Sequence, residues 1–393
     1  MGDNGHGKTN LLEAVAYLHL LRSVRGARDV DVVRFGQGGF HIRGAASADP
    51  ASAISISASR HDVSGGDLPG GDVSGGDGPS PARSPSSSAT VVTLGFERAS
   101  RRKRVTVNGT IPQRLSDVLG VIPSVTFAPV DVDLVRGGPI ARRRYLDVTL
   151  ATTSRRYLAA LQSYRAALLQ RNTALRDLAR RGGGSSSASE TAVGAWEPLL
   201  AASGAILWAE RAAWAARWAP ELTRISAAIG ERGIVHMRHA ARLADRASVG
   251  DGAAGELTRA LAAALAAGRA GDVRHGATRV GPHRDDLILT LAGRDLRSYG
   301  SAGQQRSTAI ALRILEADTL RCETGAAPVL LFDDPFAELD AGRARAILEV
   351  LGGADVGQVV LVVPRAGDIP AGLTRLARYA IADGVLRALD AAA

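Results

Sequence analysis

Gly2-Asp3-Asn4-Gly5-His6-Gly7-Lys8-Thr9 reads G-x-x-x-x-G-K-T. Glycines at 2, 5 and 7 let backbone N–H groups turn inward around an anionic phosphate. Lys8 would reach the β- and γ-phosphates, and Thr9 would offer a hydroxyl to Mg²⁺. Asn10 to Leu21 has the apolar spacing of a helix (Leu11, Leu12, Val15, Leu18, Leu21), whose N-terminal dipole favours anions. The competing reading is a glycine-rich terminal tail. Lysine usage weighs against it: of 48 basic residues only Lys8 and Lys103 are lysine, and one stands where the pattern requires it. A loop of this kind normally follows a strand, and here only Met1 precedes it. The expectation is that the chain as it stands binds ATP weakly or is poorly stable.

At 393 residues more than one lobe is expected. The formal net charge of +9 suggests a polyanionic partner such as nucleic acid, although a genome favouring arginine and alanine codons would produce part of the excess. Cys322 is the single cysteine, which excludes an internal disulfide and a cysteine metal cluster and fits a reducing, cytoplasmic setting. No run of about 18 apolar residues suggests a membrane span, and the start lacks the charged-then-apolar pattern of a signal peptide.

Strand-like runs follow the first helix at 39–44, 53–59, 90–96 and 104–107, the last closed by Asn108-Gly109, and imply an antiparallel sheet. Arg60 to Ala89 is rich in Gly, Ser, Pro and Asp and repeats Asp-Val-Ser-Gly-Gly-Asp, so it is expected to be a disordered insertion. A helix is expected over 112–119, a buried strand over 124–127, and a helix carrying Arg142–Arg144. Two long helices, 154–180 and 195–229, show coiled-coil-like apolar spacing interrupted at Arg171, and a Gly/Ser loop (182–189) joins them as a helical hairpin. Beyond residue 233 strands (234–238, 286–291, 328–332, 358–363) alternate with helices (257–267, 302–323, 341–351), the pattern of a parallel or mixed sheet covered by helices.

Val329-Leu330-Leu331-Phe332-Asp333-Asp334 is a strand whose C-terminal tip presents carboxylates, where ligands of open α/β sheets bind. Asp333 would hold Mg²⁺ opposite Thr9, and Asp334 would orient or deprotonate the attacking water. Ser301-Ala302-Gly303-Gln304 opens a helix and forms a second potential anion site. Each signal is weak alone. Their order (phosphate loop, helical insertion, Ser-x-Gly-Gln helix, Asp-Asp strand, Glu338-Leu339-Asp340) is that of ATP-binding-cassette ATPases.

More specifically, the chain resembles the RecF family of bacterial recombinational-repair ATPases, relatives of SMC heads. The matching text is Gly2–Leu12, Phe127–Gly137 (FAPVDVDLVRG), Arg142–Asp147 (RRRYLD), Gln170-Arg171-Asn172, Gly281–Leu287 (GPHRDDL), Tyr299–Arg306 (YGSAGQQR) and Leu330–Asp340 (LLFDDPFAELD), in family order over nearly the whole chain. The resemblance implies an α/β ABC-type head with a mixed sheet lobe and a helical-hairpin second lobe. Gly2, Asp3, Asn4, Gly5, His6, Gly7, Lys8 and Thr9 would bind ATP. Ser301, Gly303 and Gln304 would act as the signature across a dimer, with Asp340 communicating between heads. Asp333 would bind Mg²⁺ and Asp334 would serve hydrolysis. His283, Arg284, Asp285 and Asp286 match a family block without a chemical role, and His283 is open between a site residue and a structural histidine.

Two departures stand out: Val130 where the family has an acid, and Val362-Val363-Pro364 where many such ATPases place a γ-phosphate histidine. The family also has roughly thirty more N-terminal residues. The implied function is an ATP-dependent homodimer that clamps duplex DNA near single-strand gaps, works with RecR and RecO in RecA loading, and hydrolyses ATP slowly under DNA stimulation. DNA phosphates would meet Arg101, Arg102, Lys103 and Arg104, and Arg142, Arg143 and Arg144. The expected division is 1–150 (ATPase lobe, with the insertion 60–89), 151–275 (helical lobe) and 276–393 (signature and acidic strand). Alternatives are another ABC-type or structural SMC-like head, a transport ATPase subunit, and a non-hydrolysing DNA-binding module.

Overall fold

The computed structural model describes residues 1, 7–47, 55–59, 89–180, 187–241, 253–353, 356–369, 376–382 and 384–389. Gly2–His6 and the insertion up to residue 88 lie outside these. In chain order the helices are α1 (Lys8–Leu20), α2 (Asp29–Val32), α3 (Asp133–Arg136), α4 (Pro139–Thr153), α5 (Arg155–Arg180), α6 (Ser187–Gly194), α7 (Glu197–Ala228), α8 (Ala253–His275), α9 (Leu296–Tyr299), α10 (Ala302–Thr324) and α11 (Ala341–Leu351). The strands are β1 (Gly39–Ala46), β2 (Ser55–Ser59), β3 (Thr90–Glu97), β4 (Arg102–Val107), β5 (Ser124–Phe127), β6 (Val235–Ala240), β7 (Asp286–Leu291), β8 (Arg294–Asp295), β9 (Val329–Asp333), β10 (Val359–Val362), β11 (Arg378–Ala382) and β12 (Val385–Leu389).

Two compact units result, each discontinuous in sequence: Met1–Pro129 with Leu320–Ala337 and Leu351–Ala393, and Val130–Thr319 with Glu338–Val350. The boundaries fall elsewhere than at 150 and 275. The signature stretch belongs with the helical hairpin, and the acidic strand belongs with the phosphate loop.

The first unit is built around α1. Leu12, Val15 and Ala16 pack on Val329, Leu331 and Val362 of a parallel sheet ordered β10-β9-β5. Tyr17, Leu18 and Leu21 pack on Ile42, Val92, Leu94 and Val105 of an antiparallel sheet ordered β2-β1-β3-β4. One helix thus serves two cores, so its apolar residues spread around the axis rather than forming a single stripe. Each leucine, isoleucine or valine side chain among them contributes about 1.5–3 kcal/mol by leaving water. Met1 donates from its backbone nitrogen to Tyr379 O (2.8 Å) and accepts from Ile381 N (2.9 Å), so the residue ahead of the loop is tied to β11.

The helix expected over 112–119 reduces to one 3-10 turn, Leu115–Asp117. Val118 is buried but Leu115 is half-exposed, so the stretch lacks a core-facing stripe, and Pro112 cannot donate. Asn108 and Gly109 do take the two left-handed conformations of a hairpin turn. No second strand follows; the Asn108 side chain accepts from Val91 N (2.8 Å) and stitches the end of β4 to β3.

In the second unit α7 packs against α5, α8 and β6. Most of the expected seam is buried (Tyr157, Leu161, Tyr164, Leu175, Leu178, Leu200, Leu207, Trp214, Leu222 and Ile225), while Leu168 and Trp196 are only partly so. At 1.5 Å per residue α5 is about 39 Å long. The expected Gly/Ser loop gives way to helix from Ser187, its earlier residues lying outside the described ones. Thr191–Ala228 is long and apolar enough to cross a membrane by composition alone. It also buries Glu197 and Arg211 in ion pairs, as a core helix does. Strands β6, β7 and β8 form an antiparallel sheet that feeds α9 and the start of α10.

Candidate functional site

Half of the expected nucleotide site lies in the first unit. Gly7 sits at the N-terminus of α1 with φ 94°, a conformation that excludes most side chains. It brings no side chain to cap the helix, and no acidic residue occupies the first turn. Lys8 and Thr9 are the first two helical residues. An uncapped helix start with a lysine and a hydroxyl in its first turn is suited to an anion.

The strand packed under α1 delivers the acids. Parallel pairing sets Phe332 beside Phe127 and Asp333 beside Val362, so the carboxyl ends of three strands meet at one edge. Asp334 follows with φ 48°, and its N–H donates to Val362 O at 2.8 Å. A left-handed aspartate at a strand tip is a fixed, uncommon geometry of the kind found at functional sites. Val130 is exposed on the turn after Pro129, and Val363 is buried, so neither supplies a polar group.

The other half lies in the second unit. Ser301 and Gln304 form a capping box at the start of α10: Ser301 Oγ accepts from Gln304 N (3.3 Å), and Gln304 Oε1 accepts from Ser301 N (2.9 Å). A methyl group on Gly303 would lie 3.7 Å from Glu338 O, which sets the signature beside the segment leading to Asp340. Asp340 caps α11 by accepting from Arg343 N at 2.9 Å.

The family blocks without an assigned chemistry turn out to form a buried framework in this unit. Arg171, wholly buried, donates to Asp272 (2.8 Å), Thr278 Oγ1 (2.7 Å) and Glu197 (3.0 Å). Asn172 Oδ1 accepts from Thr278 N at 2.8 Å. Arg211 donates to Asp147 (2.8 Å), Pro282 O (2.8 Å) and Tyr157 Oη (2.9 Å), and stands 3.3 Å from Asp285. Gly281 has φ 127°, and a Cβ there would fall 2.4 Å from Tyr164 Oη, so glycine is required.

His283 stands between Tyr164 Oη (2.7 Å) and Thr278 O (3.0 Å). The carbonyl can only accept, so Nε2 donates to it and Nδ1 accepts from the tyrosine: this is a neutral, structural histidine. Burial lowers its pKa to about 4, and burial does the same for His19 in the first unit. Unfolded histidine titrates near 6.5. Between those values the unfolded chain binds protons that the folded chain refuses, so both histidines destabilise the fold as pH falls from about 6.5 to about 4. His19→Leu is therefore expected to flatten the fall in melting temperature between pH 7 and 5, followed by calorimetry. An unchanged slope would contradict the assignment.

The basic clusters divide. Arg101, Arg102, Arg104 and Arg144 are exposed. Lys103 turns inward, donating to Leu21 O (2.6 Å), lying 2.8 Å from Asp29 and covering the Tyr17 ring. Arg142 is buried in a two-pronged pair with Asp286 (2.6 and 2.8 Å) and also donates to Gly137 O (2.9 Å). Arg143, half-buried, donates to Asp285 O (2.6 Å). Lys103 and Arg142 thus direct their donors into the fold, and Arg143 directs one of its donors there.

The sequence alone did not single out Glu231, Arg343 or Asp272, and Asp147 stood only as the end of the block Arg142–Asp147. Arg171 did carry a local signal, a charge set within an apolar helical seam. Glu231 and Arg343 carried none, being distant in sequence and ordinary in composition.

A comparison with protein-family models finds no match. Among curated proteins, the chain is 35% identical over 389 residues to the DNA replication and repair protein RecF of Chloroflexus aggregans, covering 98% of this chain and 92% of that protein. It is 35% identical over 395 residues to RecF of Frankia alni, covering 99% and 92%. Among solved structures it is similar to the recombination mediator protein RecF with ATP in the RecFOR pathway, with a TM-score of 0.77 and 25% identity over 99% of this chain and 90% of that one.

Proposed function

The chain belongs to the RecF family, and on that premise we propose that it is an ATP-binding protein of DNA replication and recombinational repair. A single observation carries this reading: left-handed Gly7 starts α1 with Lys8 and Thr9 in its first turn, and α1 packs on the strand that ends in Asp333 and Asp334. The uncapped amides and Lys8 suit the phosphates of ATP. Thr9 and Asp333 offer the hard oxygen donors that Mg²⁺ prefers. When bound, the ion would neutralise charge on the phosphates. Asp334 is the remaining acid at that edge and would orient water.

The signature Ser301, Gly303 and Gln304 and the Asp340 loop lie in the other unit. We place them against the phosphates held by a second copy, which makes ATP the link of a homodimer. DNA would be held through its backbone by exposed arginines such as Arg101, Arg102, Arg104 and Arg144. RecR and RecO are the partners this reading implies, in a cytoplasmic setting.

The test is DNA retention with and without ATP, alongside nucleotide titration. Lys8→Ala removes one charge-assisted contact, worth about 1.5–3 kcal/mol, and should weaken ATP binding roughly 10- to 150-fold. It should also abolish ATP-dependent retention. DNA binding by the unaltered chain that ignores ATP would favour a non-hydrolysing DNA-binding module.

A further inference from the structure

The long helix α7 does not simply stop. Ile229 and Gly230 wind it down, Gly230 taking φ 90°, and Glu231 N donates to Ser226 O at 3.0 Å. This αL termination turns the Glu231 side chain back into the unit, where the residue is 9% exposed. One carboxylate oxygen lies 3.4 Å from Gln304 Nε2 of the signature, and the other 3.3 Å from Arg343 Nη2. Arg343 in turn donates to Ser307 Oγ on α10 (3.1 Å), and its Nε stands 3.4 Å from Asp340. A Cβ on Gly230 would touch the Arg343 side chain at 3.7 Å. The end of the helical arm, the signature helix and the Asp340 loop therefore converge on one buried acid and one arginine.

We infer that Glu231 and Arg343 are positioning residues that fix the signature and the Asp340 loop together to the end of α7, so that the two loops move as one piece with the arm. The coupling of these loops to nucleotide rests on the ATP-dependent dimer proposed above; their mechanical coupling to α7 does not. The physical basis is that buried charges hold discrete geometry: Glu231 has two oxygens and directs each to a different loop. Removing its charge leaves Arg343 and Gln304 without a shared anchor. The acid reaches the two loops over 3.4 and 3.3 Å, and the oxygen facing Gln304 is itself held by Arg232 N at 3.1 Å.

The experiment compares the full chain with Glu231→Gln and Arg343→Gln. Amide hydrogen exchange without nucleotide reads the joint directly. We expect protection at 301–307 and 340–344 to fall at least tenfold in both variants, with α5 unchanged. Protection retained at either loop overturns the inference. A uniform loss that includes α5 also overturns it, because the pair would then support the whole unit rather than position two loops. With ATP added, the variants should keep nucleotide affinity within twofold while dimer affinity, read by sedimentation, falls at least tenfold; dimerisation at the level of the unaltered chain overturns the inference. If the unaltered chain fails to dimerise with ATP, the ATP reading fails while the exchange result still decides the joint.

Discussion

Asp334→Asn is expected to lower ATP turnover by roughly 10²- to 10⁴-fold, the range in which a positioned acid or base contributes, while leaving ATP affinity close to its original value. The division of labour along the chain is the reason. Lys8 and Thr9 open α1, and on the proposed reading its uncapped first turn would carry binding. Asp333 ends β9 in register with Val362, and Asp334 is the next residue, held in a left-handed conformation by its own N–H bond to Val362 O. Asparagine tolerates that backbone conformation and has nearly the same shape, so the substitution removes a proton acceptor without disturbing the strand tip. If ATP joins two copies and hydrolysis releases them, the variant should also accumulate as a dimer on DNA. Phosphate release and sedimentation with ATP measure the two effects. Turnover within threefold of the original would remove Asp334 from the chemistry, and Asp333 would be the next candidate.

The second large effect concerns stability. Arg211 is 2% exposed and stands among Asp147, Asp285, Tyr157 and Pro282 O. Its replacement by methionine preserves much of the apolar volume but takes from two buried carboxylates the guanidinium they share, leaving Asp147 with Arg165 and Tyr157 and Asp285 with His239 at 3.3 Å. Breaking a buried pair by removing one partner costs about 3–5 kcal/mol. For a unit of this size that corresponds to a fall of roughly 6–20 °C in its melting temperature. The expectation applies to the transition of the helical unit, since a chain with two units need not unfold in one step. Calorimetry of Arg211→Met follows it. Adding Asp285→Asn should recover part of the loss, because one stranded charge is then neutral. A melting temperature within 2 °C of the original would mean that water or relaxation reaches these carboxylates.

These two residues illustrate different degrees of legibility. The position of Asp334 was readable because an apolar run ending in paired acids marks a strand and its tip. Nothing in the sequence singled out Arg211, whose partners are 64 and 74 positions away. In the sequence His283 is one member of the run GPHRDDL, which leaves its role open. Only the arrangement of Tyr164 Oη and Thr278 O on its two nitrogens made it structural.

The arginine clusters show where local reading misleads. Arg142, Arg143 and Arg144 look equivalent as a run. Helical geometry turns successive residues about 100° apart, so Arg142 enters the core against Asp286 while Arg144 faces out. Lys103 alternates inward from its neighbours on β4 for the corresponding reason in a strand.

By itself the sequence determined the local pieces: the helix that Lys8 and Thr9 open, the acidic strand, the Ser-x-Gly-Gln start of α10, the helical hairpin, and their order. These depend on spacing and residue chemistry within a few positions, which periodicity and capping rules capture. The tertiary structure alone decided which charges are buried, which arginines are spent inside the fold, that the signature stretch joins the helical unit, and that Glu231 meets Arg343. Those outcomes depend on which distant segments share a core, and a burial of charge is stable only where the fold happens to bring its partner.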